Sequence, residues 1–448
     1  MMKKTQPSRL ERFRGCLLGL AVGDALGAPL VGMKSGHIRQ VYGEIDGYVD
    51  AARAWKGRPH RWTVPGLYTS NTQRALAIAD ILACDGRCDP RALTDMFIEM
   101  ADARVEGSAF GCHRRVSRNF RFALEQMRSR AIDPLDCGGS SPGCGAAARA
   151  APIGLFHAGH PDLLTRTAIE SSLVTHRDPR AIAAALAVAH AVAQFIAEAD
   201  DEPPHHPAEK ARLLAEQVRF GEILLRESYG GHLIQLEDPT ASHHVSQSLD
   251  LLPRLLEEAD DVLAFETIVR QANRCKPERT VHDPSEGFAP AATMTALYLA
   301  LGGRNYVQAV TAAASLGRDA HDLGAIVGAM VGTRDGIEAI PAAWLSQLHN
   351  ANQLRLRADN LARREIDYST WRGVVSLESE VTANEERERR KLTERWEKEG
   401  ALVKRKKKRR ASLPPHPTLG FAPPPEVWLR RRTRRERMAR KPRNENRR

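Results

Sequence analysis

Strand patterning is nearly absent from this chain. Apolar and polar residues almost nowhere alternate, which argues against a sheet-built core. Aromatic residues are scarce, at 5%, while Ala and Gly are abundant, as suits helices that approach each other closely. No uninterrupted apolar run reaches the ~20 residues needed to cross a bilayer, so no membrane span is expected. The opening MMKKTQPSRLERFRG is basic, but the apolar run after it contains glycines and Asp24 and has no small-residue cleavage pattern. No signal peptide is expected. No repeat with a period of 20–50 residues occurs.

A disulfide framework is also missing. The seven cysteines (Cys16, Cys84, Cys88, Cys112, Cys137, Cys144 and Cys275) are odd in number. Most sit in apolar helical contexts, as reduced thiols of a cytoplasmic protein would. Cys84 and Cys88 lack the second pair that a structural zinc site requires. His205-His206 and His243-His244 are adjacent residues whose side chains point apart, which suits loops.

What is present is helix signal. Ser8-Arg9-Leu10-Glu11 is a capping box, and Asp89-Pro90 and Asp178-Pro179 each place an N-cap before a proline at the first helical position. Apolar-periodic runs follow along the body, so the expected fold class is all-α. The first helix carries Gly15, Gly19 and Gly23, which weaken it alone but allow another backbone to pack against it. After Trp371 the texture changes. Residues 372–403 read as a charged helical extension with a thin seam of Leu377, Val381, Leu392 and Trp396. Residues 404–448 read as a disordered basic tail. That tail holds eighteen Lys/Arg against three Glu; the whole chain is +11, which leaves the rest at −4. Such a surplus suits nonspecific, salt-sensitive contact with nucleic acid or another polyanion.

Two segments invite a ligand. Gly138 to Gly145 is a glycine-rich loop leading into AAARAAPIGL, with Arg149 one turn in. Exposed N–H groups at such a turn can hold a phosphate, and Arg149 could add a bidentate contact. A tight turn with a surface arginine fits the same residues, and both readings stay open. His176, before the Asp178-Pro179 cap, is a pocket-lining candidate, although a lone histidine there is more often structural.

GCLLGLAVGDALGAPLVG (15–32), GLYTSNTQRALAIADIL (66–82) and SLGRDAHDLGAIVGAMVG (315–332) resemble, in order, the site-forming segments of the ADP-ribosylglycohydrolase family. The glycine-rich loop, the 282–301 segment and the Gly336–Trp344 ending are similar to that family too, so the resemblance covers about residues 8–350, within a domain expected to span 8–371. It implies a compact all-α domain with a cleft between the three segments, acting on ADP-ribose or an ADP-ribosylated substrate. It also implies Mg²⁺ on motifs reading Thr-Asp-Asp-Thr and Asp-x-Asp-Thr. Here they read Thr69-Ser70-Asn71-Thr72 and Asp319-Ala320-His321-Asp322. Two carboxylates remain where four are usual, so Mg²⁺ should bind weakly, and His321 suits another divalent metal better. Val31 stands where many relatives carry a Glu.

By this resemblance the metal candidates are Thr69, Asp319, His321 and Asp322, and the catalytic candidates are Asp24 and Asp319. The substrate-binding candidates are Ser141, Gly143, Cys144, Gly145, Arg149, His176, Ser70 and Asn71; the family's substrate loop favours the phosphate reading of the glycine-rich turn. Three functions compete: a glycosidic-bond hydrolase with altered metal chemistry, a binding protein without turnover, and a scaffold for the basic tail.

Overall fold

Glycines spaced four apart decide how the two central helices meet. Ser8 caps the Arg9–Gly27 helix with the expected box: its Oγ accepts from Glu11 N at 3.3 Å and Glu11 Oε2 accepts from Ser8 N at 2.6 Å. Gly15, Gly19 and Gly23 fall on one face of that helix. Against it runs the Ala320–Asp335 helix, with Gly324, Gly328 and Gly332 turned inward. A Cβ added at Gly15, Gly19 or Gly23 would lie 2.1, 2.3 or 1.9 Å from the carbonyl oxygen of Gly332, Gly328 or Gly324. The two backbones therefore touch along three turns, a separation that only glycine permits. The pairing is antiparallel, so the C-terminal end of the first helix lies beside the N-terminal end of the second.

This is a computed structural model of the chain, and it describes residues 6–198, 206–236, 244–275 and 277–403. The basic tail 404–448, His205 and His243 lie outside the described residues. Among those described the fold is all-α: no strand forms, and only isolated bridges join Lys34 to Gly317 and Gly139 to His176. Around the glycine pair pack Ser70–Asp85, Pro179–Ala197 and Ala289–Leu301, all rich in alanine. Two helices correct the membrane reading in part. Arg9–Leu30 and Pro179–Ala197 are long and apolar enough to cross a bilayer, but 94% and 83% of their apolar windows are buried in the protein. Glycine and a single aspartate had masked the first in the sequence. Burial makes both of them core helices.

The charged extension does form a helix, Val374–Lys398, but it does not stand apart. Val374, Leu377, Glu378, Val381, Thr382 and Glu385 are buried at helical spacing against the body. Leu377, Val381 and Trp396 of the expected seam are buried, while Leu392 is only half-buried. Residues up to Leu402 belong to one unit, so the boundary drawn near 371 from composition divides elements that pack together.

Candidate functional site

Asp24 joins the first two segments. It sits in the last turns of the glycine-lined helix, fully buried, with its carboxylate accepting four hydrogen bonds. Thr69 donates through its N–H at 2.9 Å and its hydroxyl at 2.8 Å; Thr72 donates through its N–H at 3.1 Å and its hydroxyl at 2.7 Å. Burial raises the Asp24 pKa, while His321 and the threonine donors pull against that rise. Expected as a catalytic carboxylate, Asp24 is instead sealed from solvent with both oxygens occupied. It is a clamp that fixes the N-terminus of the Ser70–Asp85 helix.

Thr69 is the N-cap of that helix, its Oγ1 accepting from Asn71 N at 3.3 Å. The same hydroxyl donates to Asp24, so Thr69, expected as a metal ligand, serves here as the cap of this helix. Ser70 and Asn71, at 5% and 4% exposure, occupy the first helical turn. Asn71 Nδ2 donates to Asp322 Oδ1 at 2.7 Å, which ties the second segment to the third. The first and third segments are joined by backbone: Gly32 N donates to Arg318 O at 2.7 Å and Arg318 N to Met33 O at 2.8 Å. All three segments thus meet, as their resemblance implied.

Their junction gathers three possible metal ligands. Asp319, His321 and Asp322 each offer an atom within 4.8 Å of the others. Asp319 precedes its helix without using its side chain as a cap; its carboxylate accepts instead from the Gly287 backbone N–H. His321 Nδ1 is buried with no hydrogen-bond partner, and its Nε2 lies 3.4 Å from Asp322 Oδ1. Burial lowers the His321 pKa against the pull of Asp24 and Asp319. A neutral imidazole is the form that ligates metal. Burial also raises Asp319, with Asp322 adding to the rise, and pushes Asp322 up to about 6 despite the Asn71 bond and the Arg74 charge.

The raised Asp322 predicts a pH signature. Its charged form is disfavoured in the fold, so the stability present below the unfolded pKa (~4) is lost as pH climbs through the folded value near 6. Asp322→Asn keeps an acceptor for Asn71 and has no charge to lose. In metal-free buffer this variant should match the parent near pH 4 and exceed it by about 2–3 kcal/mol at pH 8. Denaturant titration at the two pH values measures the difference; an equal offset at both would show that Asp322 titrates normally.

The loop candidates divide. Gly139 pairs with His176 by backbone, and Ser141, Gly143 and Gly145 are half-buried. Pro142 O accepts from Ala289 N at 2.8 Å. Cys144 is buried, its thiol pushed far up by burial and by the Asp322 and Asp319 charges, which places it beside the third segment. Arg149 reverses both readings made of it. It is 1% exposed, and its guanidinium donates to Gly145 O at 3.0 Å, Ser171 O at 2.9 Å and Thr175 Oγ1 at 2.6 Å. It braces the loop from within and offers nothing to a phosphate. His176 is buried as well, Nδ1 lying 2.7 Å from Thr175 Oγ1 and the ring packed under Gly145. It supports the loop rather than lining an open pocket.

Sequence reading missed Arg74. One turn beyond Ser70, its guanidinium carbon lies 3.7 Å from the Phe120 ring centre, and Nε and Nη2 are buried with no partner. Burial lowers its pKa to about 9, with nearby Arg149 adding to the fall and Asp322 and Asp24 opposing it. No spacing rule marks such a residue; only its place just after the second motif could have drawn notice.

With this geometry in view, similarities to known proteins take on structural meaning. The ADP-ribosylglycohydrolase family profile matches residues 5–370. An uncharacterised protein of Archaeoglobus fulgidus is 27% identical over 78% of this chain and 96% of its own length. The ADP-ribosyl-[dinitrogen reductase] glycohydrolase of Rhodospirillum rubrum is 24% identical over 81% of this chain and 97% of its own. Among solved structures, a chain of an ADP-ribosylglycohydrolase-related protein complex superposes with a TM-score of 0.54 at 26% identity, covering 80% of this chain and 99% of that one. The family match stops just before the Val374–Lys398 helix. On the profile across nearly the whole described body and the all-α fold that goes with it, this chain is a member of the ADP-ribosylglycohydrolase family.

Proposed function

We propose that the protein recognises ADP-ribosylated targets at the junction of its three segments, holds a single divalent cation there, and cleaves the glycosidic bond slowly or not at all. The observation that carries this reading is the Asp319–His321–Asp322 cluster, three ligand atoms within 4.8 Å. Together with the unpartnered His321 Nδ1, the donor set fits one cation of borderline type better than Mg²⁺. It does not fit two cations. Ser70 and Asn71 are uncharged, and Arg74 adds a positive charge in the field of Asp322 and Asp24, which repels a second ion. A bound cation would polarise a ribosyl oxygen.

The chain's own residues supply binding more readily than proton transfer. Val31 carries no titratable group, and Asp24 is buried with its oxygens engaged. Half-buried Ser141, Gly143 and Gly145 leave backbone partly accessible on a loop that Arg149 and His176 brace from within. The ADP-ribosylated substrate class is carried over from the Rhodospirillum rubrum relative's name. Titration calorimetry with ADP-ribose, with and without Mg²⁺ or Zn²⁺, tests the reading alongside release from ADP-ribosylated arginine. Binding strengthened by Zn²⁺ and only trace release are expected. Robust release abolished by Asp319→Ala would instead establish a working hydrolase on altered ligands.

Two further proposals rest on composition. The surplus of positive charge in residues 404–448 supports salt-sensitive polyanion contact, and seven unpaired cysteines support a reducing, cytoplasmic setting.

A further inference from the structure

The segment that carries Thr69–Thr72 is gripped at both ends by the helix that lies beyond the family match. Glu378, in the second turn of Val374–Lys398, is 0% exposed. Its Oε1 accepts from Tyr68 Oη at 2.7 Å. Its Oε2 accepts from Gln73 Nε2 at 2.8 Å and pairs with Arg114 Nη1 at 2.7 Å. Tyr68 and Gln73 are the residues immediately before and after the motif. Arg114 closes the circuit: its Nε donates to Tyr68 O at 3.1 Å, its backbone N to Gln73 Oε1 at 3.0 Å, and its Nη1 to Thr382 Oγ1 at 3.0 Å.

We propose that Glu378 is a positioning residue for the functional site, and that the appended helix braces Thr69–Thr72 and thereby the Asn71–Asp322 contact. Apolar packing of Val374, Leu377 and Val381 would be enough to dock a helix. A buried carboxylate shared by three donors adds a fixed geometry instead, because each donor loses its acceptor if the helix shifts. Glu378 touches no ligand candidate itself; it acts through the chain on either side of them. Seating of the helix and occupancy of the site are therefore linked, and each should strengthen the other by the same factor.

The test uses the full chain, with Glu378→Ala, Glu378→Gln and Val381→Ala. The last loosens the same helix without removing the carboxylate. The amide protons of Thr69 and Thr72, bonded to Asp24, report on the brace by hydrogen exchange without any ligand. At matched melting temperature, Glu378→Ala should speed their exchange at least tenfold over Val381→Ala. Glu378→Gln, which keeps one acceptor oxygen, should fall between, and it also serves if the alanine variant does not fold. Cobalt(II) affinity, followed by absorption, should drop about tenfold in Glu378→Ala. Equal exchange in the Glu378 and Val381 variants would overturn the proposal. The cobalt arm alone rests on the metal reading above: no binding in the parent would defeat that reading and leave the exchange result to decide the brace.

Discussion

Alanine at position 24 is expected to cost this protein about 4–5 kcal/mol, among the largest effects of any single substitution near the site. Asp24 accepts all four of its hydrogen bonds in a fully buried setting. Removing it strands two backbone N–H groups and two hydroxyls at the start of a core helix. A buried donor without an acceptor costs ~1–3 kcal/mol, and partial relaxation keeps the total below the simple sum. Asp24→Asn should be damaging too, because its amide NH₂ faces donors with another donor. Urea denaturation of both variants gives the measurement. A loss under about 1 kcal/mol, accompanied by loss of any turnover the parent shows, would return Asp24 to the chemical role its sequence position first implied.

Rebuilding the missing chemistry should have the largest effect on rate. Val31→Glu alone is expected to do nothing measurable, since it leaves Ser70 and Asn71 uncharged and the second cation of the family's site unheld. Combined with Ser70→Asp, Asn71→Asp and His321→Asp, it restores the carboxylates and the Glu that the family resemblance implies. The combined variant should show Mg²⁺-dependent release of ADP-ribose from modified arginine, raised at least 10²-fold over the parent, as acid–base help is worth ~10²–10⁴. Arg74 opposes the second ion, so Arg74→Met added to this set should lower the Mg²⁺ concentration needed. Release that is already fast in the parent, or unchanged in the combined variant, would contradict the single-cation reading.

The fold was legible because helix signals are local. Ser8, Asp89 and Asp178 cap where their sequences say they should, and glycines at every fourth position announced a close helix contact before its partner was known. Convergence of the three segments was legible through resemblance, since a packed core preserves their placement when ligands change. What the sequence could not convey was the direction in which side chains spend their hydrogen bonds. Arg149 and His176 look alike as ligand contacts or as internal struts until Gly145, Ser171 and Thr175 are seen around them. Glu378 was hidden for another reason. In a run of charges, one buried glutamate is indistinguishable from its solvated neighbours, because its partners lie more than 250 residues earlier in the chain.

The glycine contact also bears on how such a protein changes over generations. Backbone against backbone, without side chains, sets where the ends of the Arg9–Gly27 and Ala320–Asp335 helices stand. Positions 319, 321 and 322 stand at the end of that contact, and their side chains take no part in the glycine interface itself. A change of ligand there leaves the backbone-to-backbone contact in place, so drift can rewrite the chemistry of the junction more readily than its frame. Substitutions at Gly15, Gly19, Gly23, Gly324, Gly328 or Gly332 enjoy no such freedom. Among descendants of this chain, the glycines should outlast the ligands.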